Sequence, residues 1–257
     1  QKIALIGPFA KNGDVLGPWS WQGSREAAIQ VYDGLLAKTS EANLLVAQGS
    51  DIEIITEQQL THAVETAKQA DVIVLALGEA SEMSGEGGCR ADIRLPEAQL
   101  KLVAKIRELG KPVVTVLFNG RPLDLHGVIE HSDAVLEAWY PGTEAGSAIA
   151  DLLFGEANPS GRLTMSFPYS VGQVPVYYNC FNTGRPQGEN KRERYVTHYL
   201  DIPNEPLLPF GYGLSYTTFT YSDVSLSSDS LMENSSIDLS VNVTNSGERT
   251  GEETVQF

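Results

Sequence analysis

Cysteine, basic side chains and long apolar runs are scarce in this 257-residue chain. The two cysteines, Cys89 and Cys180, stand far apart and form no CxxC pair, so no thiolate metal site is indicated. One disulfide or two free thiols both remain open. No stretch approaches the roughly 18 consecutive apolar residues of a membrane span. Lys and Arg total 18 against 33 Asp and Glu, a net charge of −15. That balance disfavours nucleic acid and anionic membrane as partners and favours a neutral or cationic ligand. His62, His126, His131 and His198 form no H-x-x-x-H pair, so no metal is expected. The nearest frame to a nucleophile elbow, Gly142-Thr-Glu-Ala-Gly146, has Glu in the serine position. Gly7-Pro-Phe-Ala-Lys-Asn-Gly13 has the spacing of neither a phosphate loop nor a dinucleotide fingerprint, which disfavours a nucleotide-binding domain. No organic cofactor is implied either.

The chain does have a core, with 42% hydrophobic residues, and an alternation of strand and helix patterns up to about residue 155. Strands are predicted at Lys2–Ile6, Asp51–Ile55, Val72–Leu77, Pro112–Phe118 and Ala134–Trp139. Helices are predicted from Arg25 to about Ala37 behind a Ser24 cap, from Thr56 to Lys68, and from Pro96 to Leu109 before Gly110. A short helical piece over Pro122–Glu130 and a helix Glu144–Leu153 capped by Thr143 complete the set. Strands joined by crossover helices predict an α/β sandwich, a mostly parallel sheet flanked by helices. From Asn158 the texture changes, and Phe167–Asn204 is rich in Tyr, Pro and Gly without helical period. After Tyr221 a two-residue alternation, Ile237–Val243, a turn at Asn245-Ser-Gly247 and then Glu252–Phe257, predicts a partial β-sandwich. Gln1–Ile6 reads as a strand and not a signal peptide. The chain stops in an unfinished β pattern, so it is expected to be a fragment of a longer polypeptide.

The stretch richest in chemistry follows the third strand: Gly78-Glu79-Ala-Ser-Glu82-Met-Ser-Gly85-Glu86-Gly87-Gly88-Cys89-Arg90-Ala-Asp92-Ile-Arg94. In α/β sheets ligands sit beyond the carboxyl ends of the strands, where this loop lies. A glutamate protonates a leaving oxygen only when placed within hydrogen-bond reach with its pKa matched to the task. Glycines on both sides of Glu86 would let the loop fold over another surface. The competing reading is a solvated acidic loop whose glutamates pair with Arg90 and Arg94.

Several segments, in order and spacing, resemble the second domain and the start of the third of family 3 glycoside hydrolases of the periplasmic β-glucosidase type. They are Gly78-Glu79-Ala, Ser84-Gly85-Glu86-Gly87 with Arg90, Lys111-Pro-Val-Val with Asn119-Gly-Arg-Pro122, and Trp139-Tyr-Pro-Gly-Thr-Glu-Ala-Gly146. Ala150-Asp-Leu-Leu-Phe-Gly155, Asn158-Pro-Ser-Gly161, Phe167-Pro168, Pro175-Val-Tyr-Tyr178, Asn182-Thr-Gly-Arg-Pro186 and Pro209-Phe-Gly-Tyr-Gly-Leu-Ser-Tyr216 continue the likeness.

The resemblance implies an α/β domain over residues 1–220 and a truncated fibronectin-III-like sandwich over 221–257. It also implies a periplasmic or secreted protein acting on a β-linked oligosaccharide or glucoside. An N-terminal barrel of the same chain would supply an aspartate nucleophile. Glu86 is the matching acid/base position, with Glu79 and Glu82 as rivals; Glu79, at the strand end, is expected to anchor the loop. Arg90 either holds the loop or touches substrate. Trp19 and Trp21 are candidate sugar-stacking platforms, whereas Trp139 is expected in the core or against another domain. Tyr177 and Tyr178 are expected to cover neighbouring domains. The alternative is a non-catalytic carbohydrate-binding or scaffolding domain.

Overall fold

A computed structural model describes residues 1–189 and 193–257, so positions 190–192 of the irregular Phe167–Asn204 stretch lie outside the described residues. Five strands, β1 (Ile3–Ile6), β2 (Leu44–Ala47), β3 (Val72–Gly78), β4 (Val113–Phe118) and β5 (Ala134–Glu137), form one parallel sheet in the order β2-β1-β3-β4-β5. Leu5 registers with Val46 on one side and Val74 on the other. The central strands are apolar on both faces, as a sheet covered on both sides requires. Helices α2 (Glu57–Lys68) and α3 (Glu97–Arg107) pack on one face, where Ala63, Ala67, Leu102 and Ile106 meet Ile6, Ile73, Leu75 and Leu77. Helices α1 (Val31–Lys38) and α4 (Ala145–Leu153) cover the other, where Val31, Leu35 and Ile149 meet Leu5, Val74, Val116 and the stacked Phe9 and Phe118 rings. Side chains alternate faces along each strand, which feeds the two cores. α1 and α4 cross closely because Gly34 and Gly146 stand where a Cβ would run into the backbone of Gly146 and Gln30 respectively. The predicted α/β sandwich is therefore the observed fold.

Local sequence explains most boundaries. α2 begins behind a capping box, in which Thr56 Oγ1 accepts from the Gln59 N–H (3.2 Å) and Gln59 Oε1 accepts from the Thr56 N–H (2.8 Å). α3 begins at Glu97 with Pro96 as its N-cap, and α4 at Ala145 behind Glu144, each one residue later than read from the sequence.

Four expectations need correction. The helix predicted from Arg25 to about Ala37 begins only at Val31 (α1); its first part is a single 3-10 turn (Arg25–Ala27) followed by extended backbone, because the Ile29 N–H donates to Thr143 O and Ile29 O accepts from Gly146. Asp51–Ile55 is a turn closed by the Asp51 N–H on Ile54 O, and the strand is instead Leu44–Ala47, which pairs with β1. Pro122–Glu130 is mostly turns, since the Asp124 carboxylate accepts from the His126 N–H and so competes with the helical pattern. Glu252–Phe257 carries no strand; the antiparallel partner of β7 (Leu239–Asn245) is β6 (Phe219–Leu226). β6 and β7 form a small two-stranded sheet; Glu253, in the tail after β7, pairs with Arg162 (2.7 Å) and accepts from the Tyr221 hydroxyl of β6 (2.8 Å).

Candidate active site

The strand order reverses direction between β1 and β3, the point where open α/β sheets form a crevice at their carboxyl edge. The connection after β1 carries Leu16–Trp21, and the connection after β3 carries Glu79–Arg94. The two loops touch. A Cβ on Gly85 would come within 2.8 Å of the Pro18 ring and 3.3 Å of the Trp19 indole nitrogen. Trp19 is 69% exposed and Trp21 95% exposed, so both indoles face solvent, Trp19 beside Gly85.

The end of β3 is fixed first. The fully buried Gln99 of α3 accepts from the Gly78 N–H (2.8 Å) and donates to Gly78 O (2.7 Å) and Ile52 O (2.9 Å). Glu79 follows with its N–H on Phe118 O (2.8 Å), and its side chain is wholly buried. Its carboxylate is neutralised by two guanidinium groups, Arg90 Nη1 on Oε1 (2.5 Å) and Arg121 Nε on Oε2 (3.1 Å). Burying a carboxylate is tolerable only with such partners. The Tyr140 hydroxyl donates to Glu79 O (3.2 Å) and Ala80 O (3.1 Å), and the surrounding burial pushes that phenol up to about 12. One turn further, the Ser81 N–H donates to Asp14 Oδ2 (2.9 Å), and Arg25 binds both Asp14 (3.0 Å) and Ser81 Oγ (2.8 Å).

Beyond these anchors the loop emerges into solvent. Glu82 and Glu86 are exposed, and among the described residues neither forms an ion pair. Glu86 lies between Gly85 (φ +83°) and Gly87 (φ +80°), a left-handed pair of conformations that glycine adopts without strain. The expected pairing of loop glutamates with Arg90 and Arg94 thus holds for Glu79 and Arg90 only; Arg94 forks onto Asp92 (3.1 and 2.7 Å) and holds that carboxyl down at about 2. Cys89 and Cys180 are exposed free thiols. Trp139 (φ +54°) is half-buried against Phe167, at 5.7 Å between ring centroids, and Tyr178 stacks on Phe210 at 4.4 Å.

Three anchoring groups escape a pattern search. Arg121 sits in the quoted Asn119-Gly-Arg-Pro122 segment, yet nothing local in that segment assigns it a partner about 40 residues upstream. Gln99 looks like an ordinary helix residue. Glu137, at the end of β5, is a part-buried acid that reads as a strand terminus. Its carboxylate accepts from the Trp139 N–H (2.9 Å) and from Asn119 Nδ2 (3.3 Å), but burial dominates and pushes its pKa up to about 8.

A raised folded-state pKa means that the native chain holds a proton which the unfolded chain releases near its ordinary value of 4.5. This contribution to stability is complete below that pH and declines as pH rises to about 8. Glu137→Gln, isosteric and always neutral, is expected to flatten the decline. Thermal midpoints recorded between pH 5 and 8 should fall more steeply for the native protein than for the variant; parallel profiles would contradict the assignment.

Set beside known proteins, residues 1–216 match the family model described as "Glycosyl hydrolase family 3 C-terminal domain". The "Periplasmic beta-glucosidase" of Salmonella typhimurium (strain LT2) is 44% identical over 99% of this chain and 36% of its own length. A "Beta-xylosidase" of Formosa agariphila is 41% identical over the whole chain and 35% of its own length. The crystal structure of a β-glucosidase from Listeria innocua in complex with glucose superposes with a TM-score of 0.83 at 52% identity, covering 88% of this chain and 31% of that one. The chain therefore spans about a third of the relatives it matches.

Proposed function

Because this chain belongs to the glycosyl hydrolase family 3 C-terminal domain family, we propose that it is the second domain of a retaining β-glucosidase and supplies that enzyme's acid/base glutamate, Glu86. The remaining two thirds would include a barrel carrying the nucleophilic aspartate, and the active site would form where the carboxyl edge of the parallel sheet faces that barrel. In the first half-reaction Glu86 gives its proton to the departing glycosidic oxygen while the aspartate attacks the anomeric carbon. In the second it takes a proton from the water that releases glucose. Retention requires the two carboxyl groups about 5–5.5 Å apart.

The observation that carries this reading is the division of labour among the loop carboxylates. Glu79 is consumed by Arg90 and Arg121, whereas Glu86, on a glycine-flanked turn at the crevice, forms no ion pair among the described residues. Trp19, beside Gly85, and Trp21 offer apolar ring faces to the C–H surface of a sugar. Arg90 gives one nitrogen to Glu79, so its other N–H groups are available to a sugar hydroxyl in the same site. Residues from about 221 onward, which include most of β6 and all of β7, would begin a fibronectin-III-like domain. A periplasmic or secreted location is the expectation, supported on its periplasmic side by the Salmonella relative, a "Periplasmic beta-glucosidase".

The intact polypeptide is expected to hydrolyse an aryl β-glucoside with retention of anomeric configuration, followed by proton NMR of the first-formed sugar, and the 257-residue piece is expected to show no turnover. An inverted product, or turnover by the piece, would overturn the shared-site reading.

A further inference from the structure

The loop that bears Glu86 is closed by one side chain from the connection after β4, Arg121. Arg121 Nη2 donates both to Met83 O and to Gly88 O (2.8 Å), and its Nε lies on Glu79 Oε2 (3.1 Å). Met83 and Gly88 bracket the six-residue segment whose tip is Glu86-Gly87, and inside it the Gly88 N–H closes a turn on Gly85 O (3.1 Å). A single guanidinium thus ties both ends of the segment to each other and to the buried carboxylate at its root. Its planar fork of fixed donors suits this task, which a lysine ammonium on a flexible stem does not.

Arg121 is itself held in place. Its backbone carbonyl accepts from Asn119 Nδ2 (2.9 Å), and its neighbour Gly120 leaves no room for a Cβ against Ser84 Oγ. Among the described residues Arg90, by contrast, hydrogen-bonds to Glu79 and to no loop carbonyl. We infer that Arg121 is the positioning residue of the acid/base loop: by bridging Met83 O, Gly88 O and Glu79 it sets where the Glu86 carboxyl stands. The inference rests on the reading of Glu86 as acid/base.

A displacement of about 1 Å at a reacting group can cost on the order of 10²-fold in rate. Only a substrate that needs protonation feels the acid's position. In the intact enzyme, Arg121→Gln is expected to lower kcat/KM on methyl β-glucoside by about 10²-fold, with 2,4-dinitrophenyl β-glucoside, whose leaving group needs no proton, holding within a few-fold. Because Arg121 acts through Glu86, adding R121Q to E86A is expected to bring no further leaving-group-dependent loss. Should R121Q not fold, R121K, which retains the charge opposite Glu79 but lacks the fork, carries the same comparison. Equal losses on both substrates, or none, with E86A itself selective for the poor leaving group, would sink the positioning role alone. An E86A variant that shows no such selectivity would instead remove the acid/base reading and this inference with it.

Discussion

Replacing Glu86 by Ala in the intact enzyme is expected to lower kcat/KM for methyl β-glucoside by about 10²–10⁴-fold, the usual contribution of a placed general acid. The loss should shrink as the leaving group improves, because a good leaving group departs without a proton. Once glycosylation is fast on such a substrate, the missing general base makes deglycosylation rate-limiting. Azide, a nucleophile that needs no base, should then restore turnover and yield β-glucosyl azide with retained configuration. A uniform loss across leaving groups without azide rescue would contradict this role for Glu86. A silent variant would leave the domain as a carbohydrate-binding or scaffolding unit. The exposure of Glu86 in this chain does not oppose the role: a carboxyl that must meet a substrate held on another domain has to project from its own.

The second large effect concerns stability. Glu79 is fully buried, and its two arginine partners are only 22% and 18% exposed. Glu79→Gln keeps the shape but removes the charge that both guanidinium groups neutralise, leaving two part-buried cations unpaired. Breaking one partner of a buried ion pair typically destabilises by about 3–5 kcal/mol, and the partial exposure of the arginines places this case near the lower figure. The measurement is the shift in unfolding midpoint of the intact enzyme in urea, native against E79Q, at one pH. A change within about 0.5 kcal/mol, the range of ordinary surface substitutions, would contradict the buried clamp. The same variant should also lose activity, since the loop root is then released, and the joint loss separates Glu79 from Glu86, whose replacement is expected to leave stability nearly unchanged.

What the sequence shows plainly is periodic or punctuated. The apolar run at Val72–Leu77, the Thr56 cap and the Gly110 stop each state their structure within a few residues, and the parallel sheet follows from their succession. The segment at Arg25 misleads because its helix-like pattern yields to two backbone hydrogen bonds, from Ile29 to Thr143 and from Gly146 to Ile29. Leu44–Ala47 was hidden as a strand because four apolar residues have no period of their own, and only pairing with β1 decides their conformation. At the candidate site, the glycine-flanked Glu86 and the strand-end Glu79 are visible locally as carboxylates on a loop. Their contrasting fates depend on Arg121, about 40 residues away, and on the depth at which β3 and β4 carry the loop root. Burial and long-range pairing are the terms that one-dimensional patterns carry least.

On the proposed reading, Glu86 reaches across a domain boundary to a sugar held by a barrel. A crystal structure of the intact enzyme with a glucose-configured inhibitor bound measures it directly. The Glu86 carboxyl is expected about 5–5.5 Å from the nucleophilic aspartate and within hydrogen-bond reach of the aglycone-side atom of the inhibitor. A Glu86 carboxyl facing bulk water, with another acid of the loop or of the barrel in contact with that atom, would contradict it.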